Sequence, residues 1–230
     1  MKAMILAAGR GERMRPMTDR LPKPLLNVAG KPLIVWLLER LVDTGITELV
    51  VNVSHLGTLI EQTLGDGAAY KARIAYSREV EALETAGGIA AALSLLGDAA
   101  FLVVNGDIHT DFDFARLVPR AATLAGEGPL AHLVLVDNPP HHPGGDFTLQ
   151  DGFIACEGQR RLTFSGIGVY HPRLFAPVAP GQKYQLARLL RGPIAANEVS
   201  GEHYDGTWID VGTPERLAAV ERLLNRKLGL

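Results

Sequence analysis

The stretch Met4-Ile5-Leu6-Ala7-Ala8-Gly9-Arg10-Gly11-Glu12-Arg13-Met14-Arg15-Pro16, followed by Pro22-Lys23-Pro24, decides how the rest of the chain is read. A short apolar strand, Ala3 to Ala8, empties into a loop of glycines and arginines. Glycine lets the backbone take φ > 0 and lets a ligand reach the main chain without a Cβ in the way. Consecutive amides in such a loop form a concavity for anions, to which Arg13 and Lys23 add full positive charge. The expectation is a phosphate site at the end of a first β-strand.

Spacing separates three kinds of phosphate loop. A dinucleotide fold needs G-x-G-x-x-G, with a third glycine for close helix–strand packing. Gly9 and Gly11 fit, but bulky Met14 stands in the third place. A P-loop needs G-x-x-x-x-G-K-[S/T]. The Gly30-Lys31 pair is followed by Pro32, and Leu25 stands where the first glycine belongs. A third pattern, L-A-A-G-x-G-T-R-L-x-P-x-T followed by P-K-P, is met by Leu6-Ala7-Ala8-Gly9, Gly11, Arg13, Pro16, Thr18 and Pro22-Lys23-Pro24. Glu12 replaces its threonine and Met14 its second leucine. On this long, ordered match the chain resembles the sugar-1-phosphate nucleotidyltransferases.

Composition bounds the reading. At 230 residues the chain is long enough for one α/β domain with a large core, expected to span 1–230. A formal net charge of −2 provides no global basic field for nucleic acid. Six of the 23 basic residues (Arg10, Arg13, Arg15, Arg20, Lys23 and Lys31) nevertheless fall within 22 residues, as a polyphosphate site needs. Cys156 is the only cysteine, which excludes an internal disulfide and a Cys-based zinc cluster. With no signal-like start and no 18-residue apolar run, a cytoplasmic protein with no membrane partner is expected.

Taken in order, Lys31 to Thr44 has helical periodicity, with Pro32 at N1 and Gly45 just past the end. Ile46 to Val53 is a β-branched run typical of a strand buried on both faces. A helix over Leu56 to Leu64, a strand over Arg73 to Tyr76, a helix over Ala86 to Leu96 and a strand over Ala100 to Val104 follow. This rhythm predicts a Rossmann-like, doubly wound, mostly parallel sheet, with the first ~110 residues as the nucleotide-binding half. In the sugar-binding half, Leu130 to Val136 is expected to close the central sheet. Asp137 to Asp146 reads as loop, and Asp151-Gly152 signals a hairpin within Phe147 to Ile154. With Leu162 to Tyr170, these strands form an antiparallel substrate-binding lobe over the carboxyl ends of the parallel strands. Pro214 to Leu228 is a closing amphipathic helix.

Asn105-Gly106-Asp107 follows the Phe101–Val104 run directly, so its carboxylate stands at the end of a buried strand, as a Mg²⁺ ligand or as the cap of a turn. The family's Asp at this place binds the catalytic magnesium, which the resemblance carries to Asp107. Trp208-Ile209-Asp210-Val211-Gly212-Thr213-Pro214 is similar to the family's W-x-D-x-G-T-P, whose Asp is the second magnesium ligand. Thr213 and Pro214 also make a good helix start; Asp210, three residues earlier, has no part in that. Glu84-Thr85-Ala86-Gly87-Gly88 is similar to the family's base-reading G-T-A-G-A, with Glu84 for the first glycine and Gly88 for the last alanine. Thr85 also suits a helix cap there.

The resemblance implies transfer of a nucleotidyl group from an NTP to a sugar 1-phosphate with release of pyrophosphate and Mg²⁺ as cofactor. It makes Arg13, Lys23 and Asp107 catalytic and Asp107 and Asp210 the metal ligands. It assigns the nucleotide to Leu6, Ala8, Gly9, Gly11, Glu12, Arg13, Lys23, Thr85 and Gly88. In the sugar lobe the family's E-K-P is reduced to Glu157 followed by Gly158-Gln159, leaving Asn105, Gly145, Glu157 and Ser165 as candidate sugar contacts. His141-His142 reads as a solvated, proline-flanked pair rather than a metal site. The short length, the altered lobe and Ser165-Gly166-Ile167-Gly168-Val169-Tyr170 are most similar to the short bacterial uridylyltransferases of cell-wall (peptidoglycan) recycling, which make UDP-MurNAc from UTP and N-acetylmuramate 1-phosphate. Guanylyltransferases of mannose 1-phosphate, thymidylyltransferases of glucose 1-phosphate and a non-catalytic nucleotide-sugar sensor stand as alternatives. The expected assembly is a monomer or small homo-oligomer.

Overall fold

The computed structural model describes residues 1–126 and 128–229. The first half runs β1 (Ala3–Leu6), β2 (Asn27–Val28), β3 (Lys31–Pro32), α1 (Leu33–Asp43), β4 (Glu48–Val53), α2 (Gly57–Leu64), β5 (Arg73–Arg78), α3 (Glu84–Leu96), β6 (Phe101–Asn105) and β7 (Ile108–Thr110). The second runs α4 (Leu117–Thr123), β8 (Ala131–Val136), β9 (Phe147–Gln150), β10 (Phe153–Ala155), β11 (Arg161–Tyr170), α5 (Leu186–Ala195), β12 (Val199–Tyr204), β13 (Trp208–Asp210) and α6 (Pro214–Leu228).

A nine-stranded sheet in the order β5-β4-β1-β6-β11-β8-β12-β10-β9 forms the centre. Strands β5, β4, β1 and β6 are parallel, and the three inner ones, β4, β1 and β6, are the near-continuous apolar runs that such burial requires. Side chains alternate between the faces: Ala3 and Ile5 point to a core built with α1, α2 and α4, while Met4 points to one built with α3 and α5. A third cluster holds Met14, Leu26, Val28 and Leu33 against Val211, Leu217, Val220 and Leu224, so the glycine-rich loop is fastened to α6.

The second half departs from expectation in its connectivity. The strand Ala131–Val136 does not close the sheet beside β6; β11 enters there, antiparallel to both β6 and β8. The lobe therefore continues the central sheet, and β9 returns to pair with β11, so β11, β8, β12, β10 and β9 close on themselves. Helix α5 and strand β12, which the sequence pattern did not single out, supply one wall of this closure. Asp151 and Gly152 both take positive φ (49° and 82°), the turn expected between β9 and β10. Helix α1 begins at Leu33, because Lys31–Pro32 pairs with Asn27–Val28 and Pro32 has an extended ψ of 143°. Gly45 ends that helix as expected, with φ 82°.

Candidate active site

At the carboxyl ends of β1, β4 and β6 lies a cavity of about 360 Å³. Of the residues expected there, Leu6, Ala8, Gly9, Lys23, Thr85, Asn105 and Asp107 line it. Its two nearby loop glycines do different work. A Cβ on Gly9 would meet nothing within 4 Å, so the loop is open to a ligand at that point. Gly11 has φ 64°, and a Cβ there would come within 2.9 Å of Thr18 Cγ2. Its carbonyl accepts from Thr18 Oγ1 (2.9 Å) and Met14 N (2.8 Å), so Gly11 shapes the loop. The amides of Ala8, Gly9, Arg10 and Gly11 make no hydrogen bond to a described residue. Glu12 and Arg13 follow in an exposed 3₁₀ turn outside the cavity lining.

Lys23 is 92% buried after Pro22, and its Nζ lies 2.5 Å from Asp107 Oδ2. Asp107 is held at the sheet edge by a short ladder. β7 pairs with β13, placing Asp210 opposite Ile108, and Val211 N donates to Asp107 O (2.7 Å). The backbones of two residues 103 apart in sequence are thus neighbours, Asp107 directly before β7 and Asp210 opposite the first residue of that strand. Asp111 fastens the far end of this ladder: its Oδ1 accepts from the Tyr204 hydroxyl and from Thr207 N (2.8 Å). Burial alone would raise the Asp111 carboxyl, but these hydrogen bonds hold it down at about 2.

Asn105 is set by a bulge. The β11–β8 register shifts between Phe164 and Ile167, and a Cβ on Gly166 (φ 78°) would come within 2.4 Å of Asn105 Nδ2. Ser165 is spent on that bulge: its hydroxyl donates to Val134 O (2.7 Å) and accepts from Ile167 N (3.1 Å). Trp208 Nε1 donates to Ser165 O (2.9 Å), tying the tryptophan of the second signature to the bulge.

Two residues that sequence reasoning missed stand on the other wall. Asn52, buried at the end of β4, accepts from Ala7 N (2.8 Å) and donates to Glu79 Oε1 (2.7 Å). Glu79 Oε2 accepts from Leu83 N (2.9 Å), so this pair joins the glycine-rich loop to the start of α3. Both line the cavity. The available signal was an asparagine inside an otherwise apolar strand. Gly88 packs against this pair, since a Cβ there would lie 2.6 Å from Glu79 Oε1. Thr85 is not the helix cap: Leu83 holds that position and Glu84 opens the helix with φ 62°. Tyr184 O takes the Ala86 and Gly87 amides (3.0 and 3.1 Å).

The remaining sugar-lobe candidates do not line the cavity. Gly145 is a turn residue with φ 58°, and Glu157 is exposed. The two histidine side chains are partly solvent-exposed, and each also faces a carboxylate: His142 Nε2 lies 3.1 Å from Asp146, and His141 Nε2 lies 3.0 Å from Asp210.

Asp107 and Asp210 are hard oxygen donors of the kind Mg²⁺ prefers, and their ladder brings them to one edge. Among the described residues no group of three or more His, Cys, Asp or Glu could hold an ion. Two carboxylates completed by phosphate oxygens and water are the donor set this edge can provide, and Mg²⁺ commonly accepts such a set.

A doubly wound sheet with a cavity of about 360 Å³ at its carboxyl edge, an open amide loop and a buried Lys paired with an Asp defines an α/β protein built to handle phosphate esters. Residues 2–145 match the family model described as nucleotidyl transferase, and the chain belongs to that family. It is 56% identical to an N-acetylmuramate alpha-1-phosphate uridylyltransferase of Neisseria meningitidis serogroup B, over 97% of this chain and 98% of the relative. It is 36% identical to a protein of the same description from Caulobacter vibrioides, over 96% of each. Among solved structures, HddC from Yersinia pseudotuberculosis complexed with GMP-PN superimposes with a TM-score of 0.79 at 22% identity, covering 97% of this chain and 99% of that one. A Bacillus anthracis structure in complex with sucrose gives 0.85 at 21% identity, covering 97% and 94%. At these identities the structures show a shared fold. No helix among the described residues is long and apolar enough to cross a membrane.

Proposed function

We propose that the protein transfers the uridylyl group of UTP to N-acetylmuramate 1-phosphate, giving UDP-N-acetylmuramate and pyrophosphate, with the whole chain acting as one cytoplasmic catalytic unit. The observation that carries the chemistry is the pair of buried Lys23 with the half-exposed Asp107 at the edge of a cavity lined by open loop amides. The choice of base and sugar rests on the full-length similarity to the Neisseria relative.

A phosphate oxygen of the sugar 1-phosphate attacks the α-phosphorus of UTP, and the bond to the bridging oxygen of the β-phosphate breaks. That nucleophile is already ionised at neutral pH, so no general base is needed; positioning and charge neutralisation suffice. Lys23 sits between the α-phosphate and the incoming phosphate and offsets their repulsion. Arg13 holds the departing β- and γ-phosphates through its planar fork, which a lysine could not imitate. Asp107 and Asp210 would hold Mg²⁺, which would supply positive charge to offset the negative charge of the phosphates. Asn52, Glu79 and Thr85 face the base and ribose, and Asn105 the sugar.

The test is pyrophosphate release with Mg²⁺, crossing UTP, GTP, dTTP, CTP and ATP with the 1-phosphates of N-acetylmuramate, N-acetylglucosamine, mannose and glucose. Turnover greatest with UTP and N-acetylmuramate 1-phosphate is expected. A maximum at GTP with mannose 1-phosphate would keep the chemistry and discard the specificity.

A further inference from the structure

Arg216, in the first turn of α6, has no place in the scheme above, yet its guanidinium lies on Asp210. Nη1 donates to both carboxylate oxygens at 2.7 Å, and the two side chains are only 16% and 24% exposed. Charge-assisted contacts to both oxygens leave little of this carboxylate for another cation. His141, from the loop before β9, meets the same group, its Nε2 lying 2.5 Å from Arg216 Nη1 and 3.0 Å from Asp210 Oδ1.

A second positive group converges on this point. A Cβ on Gly212 would lie 2.2 Å from Arg216 Nη2 and 3.1 Å from Arg13 Nη2, so two guanidinium tips flank one glycine. Arg13 makes no ion pair or hydrogen bond to a described residue. Two guanidinium groups brought this close repel unless an anion lies between them. Asp210 pairs with Arg216 and not with Arg13, and a divalent cation held by Asp210 would claim the same oxygens that Arg216 now uses.

We propose that Arg216 is a displaceable counter-ion of Asp210: it yields the carboxylate to a divalent cation and turns to share the terminal phosphates of the nucleotide with Arg13. This rests on the uridylyl-transfer reading for the identity of the triphosphate. In this arrangement Asp210 is never left uncompensated, and its exchange of partners links cation binding to closure of an arginine pair on the leaving group. Arg216 thus works against binding of the metal alone and in favour of the metal–nucleotide pair.

The experiment measures Mn²⁺ binding to the full chain by electron paramagnetic resonance of the free ion, without nucleotide, and UTP binding in the presence of Mn²⁺. Arg216→Met is expected to bind Mn²⁺ alone several-fold more tightly than the parent and UTP with Mn²⁺ about tenfold more weakly, the size of one lost hydrogen bond to a charged group. A purely structural role would move both affinities in one direction. Arg216→Lys, which keeps the charge and the helix start but not the fork, should show the same two signs at smaller size, and replaces the Met variant if that one does not fold. Unchanged or weaker Mn²⁺ binding, or no measurable Mn²⁺ binding by the variant without nucleotide, overturns the proposal. If the parent binds both ligands but releases no pyrophosphate with any sugar 1-phosphate, the transfer reading fails, while the opposite signs still decide the role of Arg216.

Discussion

Gly9 and Gly11 occupy equivalent places in a written motif and unlike places in space. Gly9→Ala should leave unfolding free energy within about 0.5 kcal/mol of the parent, while raising KM for the nucleotide about tenfold. Gly11→Ala should instead lose about 2 kcal/mol, from its left-handed φ and the overlap with Thr18. Urea unfolding and initial rates on the two variants separate these outcomes. Lys23→Ala should lower kcat by about 10²–10³-fold with the fold intact by circular dichroism, and near-normal turnover would remove Lys23 from the mechanism. His109, next to the site on β7, has a different consequence. Burial, aided by Lys227 and Arg40, pushes its pKa from 6.5 down to about 4, and its Nε2 has no hydrogen-bond partner among the described residues. The unfolded chain therefore takes up a proton near pH 6.5 that the folded chain refuses until about pH 4. Stability is full above that window and falls as pH drops through it. His109→Leu should flatten the decline by up to about 3 kcal/mol, read from urea midpoints at pH 7 and 4.5. Lys23, Asp107 and Asp210 could be named as candidates from the sequence because each stands in a motif of readable spacing. Asn52 and Glu79 were not: one is hidden in an apolar run and the other precedes a loop, and only the fold joins them.

At the scale of elements, the start of α3 holds the clearest local conflict. Glu84 replaces a glycine of the related pattern and takes φ 62°, a conformation that L side chains adopt at a cost of about 1 kcal/mol. Glu84→Gly should raise Tm by about 2–4 °C, and a lower Tm would mean that the carboxylate is held by contacts worth more than the strain. The parallel strands β1, β4 and β6 were readable as apolar runs because both their faces are buried. The place of β11 was not, because which strand neighbours β6 is decided by packing across the sheet rather than by any property of residues 161–170. Likewise β7 and β13 are three residues each, too short to show a period, yet they carry the two carboxylates to one edge.

For the whole molecule, the candidate site draws on the loop after β1, the ends of β4 and β6, the start of α3 and the ladder before α6. A ligand that bridges these elements should stabilise the fold cooperatively. UTP with Mg²⁺ at about a hundred times its Kd should add about 2.7 kcal/mol and raise Tm by several degrees, with UTP alone giving less. A thermal shift unchanged by Mg²⁺ would detach the metal from nucleotide binding. The ladder between β7 and β13 also sets an order of events during synthesis. A chain emerging from its N-terminus can lay down β1, β4 and β6 early, but β7 finds β13 only when the segment just before α6 arrives. A nascent or prematurely ended chain would carry the glycine-rich loop without the β7–β13 ladder or the α6 face that fastens that loop, so the candidate site is the last part of this protein to be assembled.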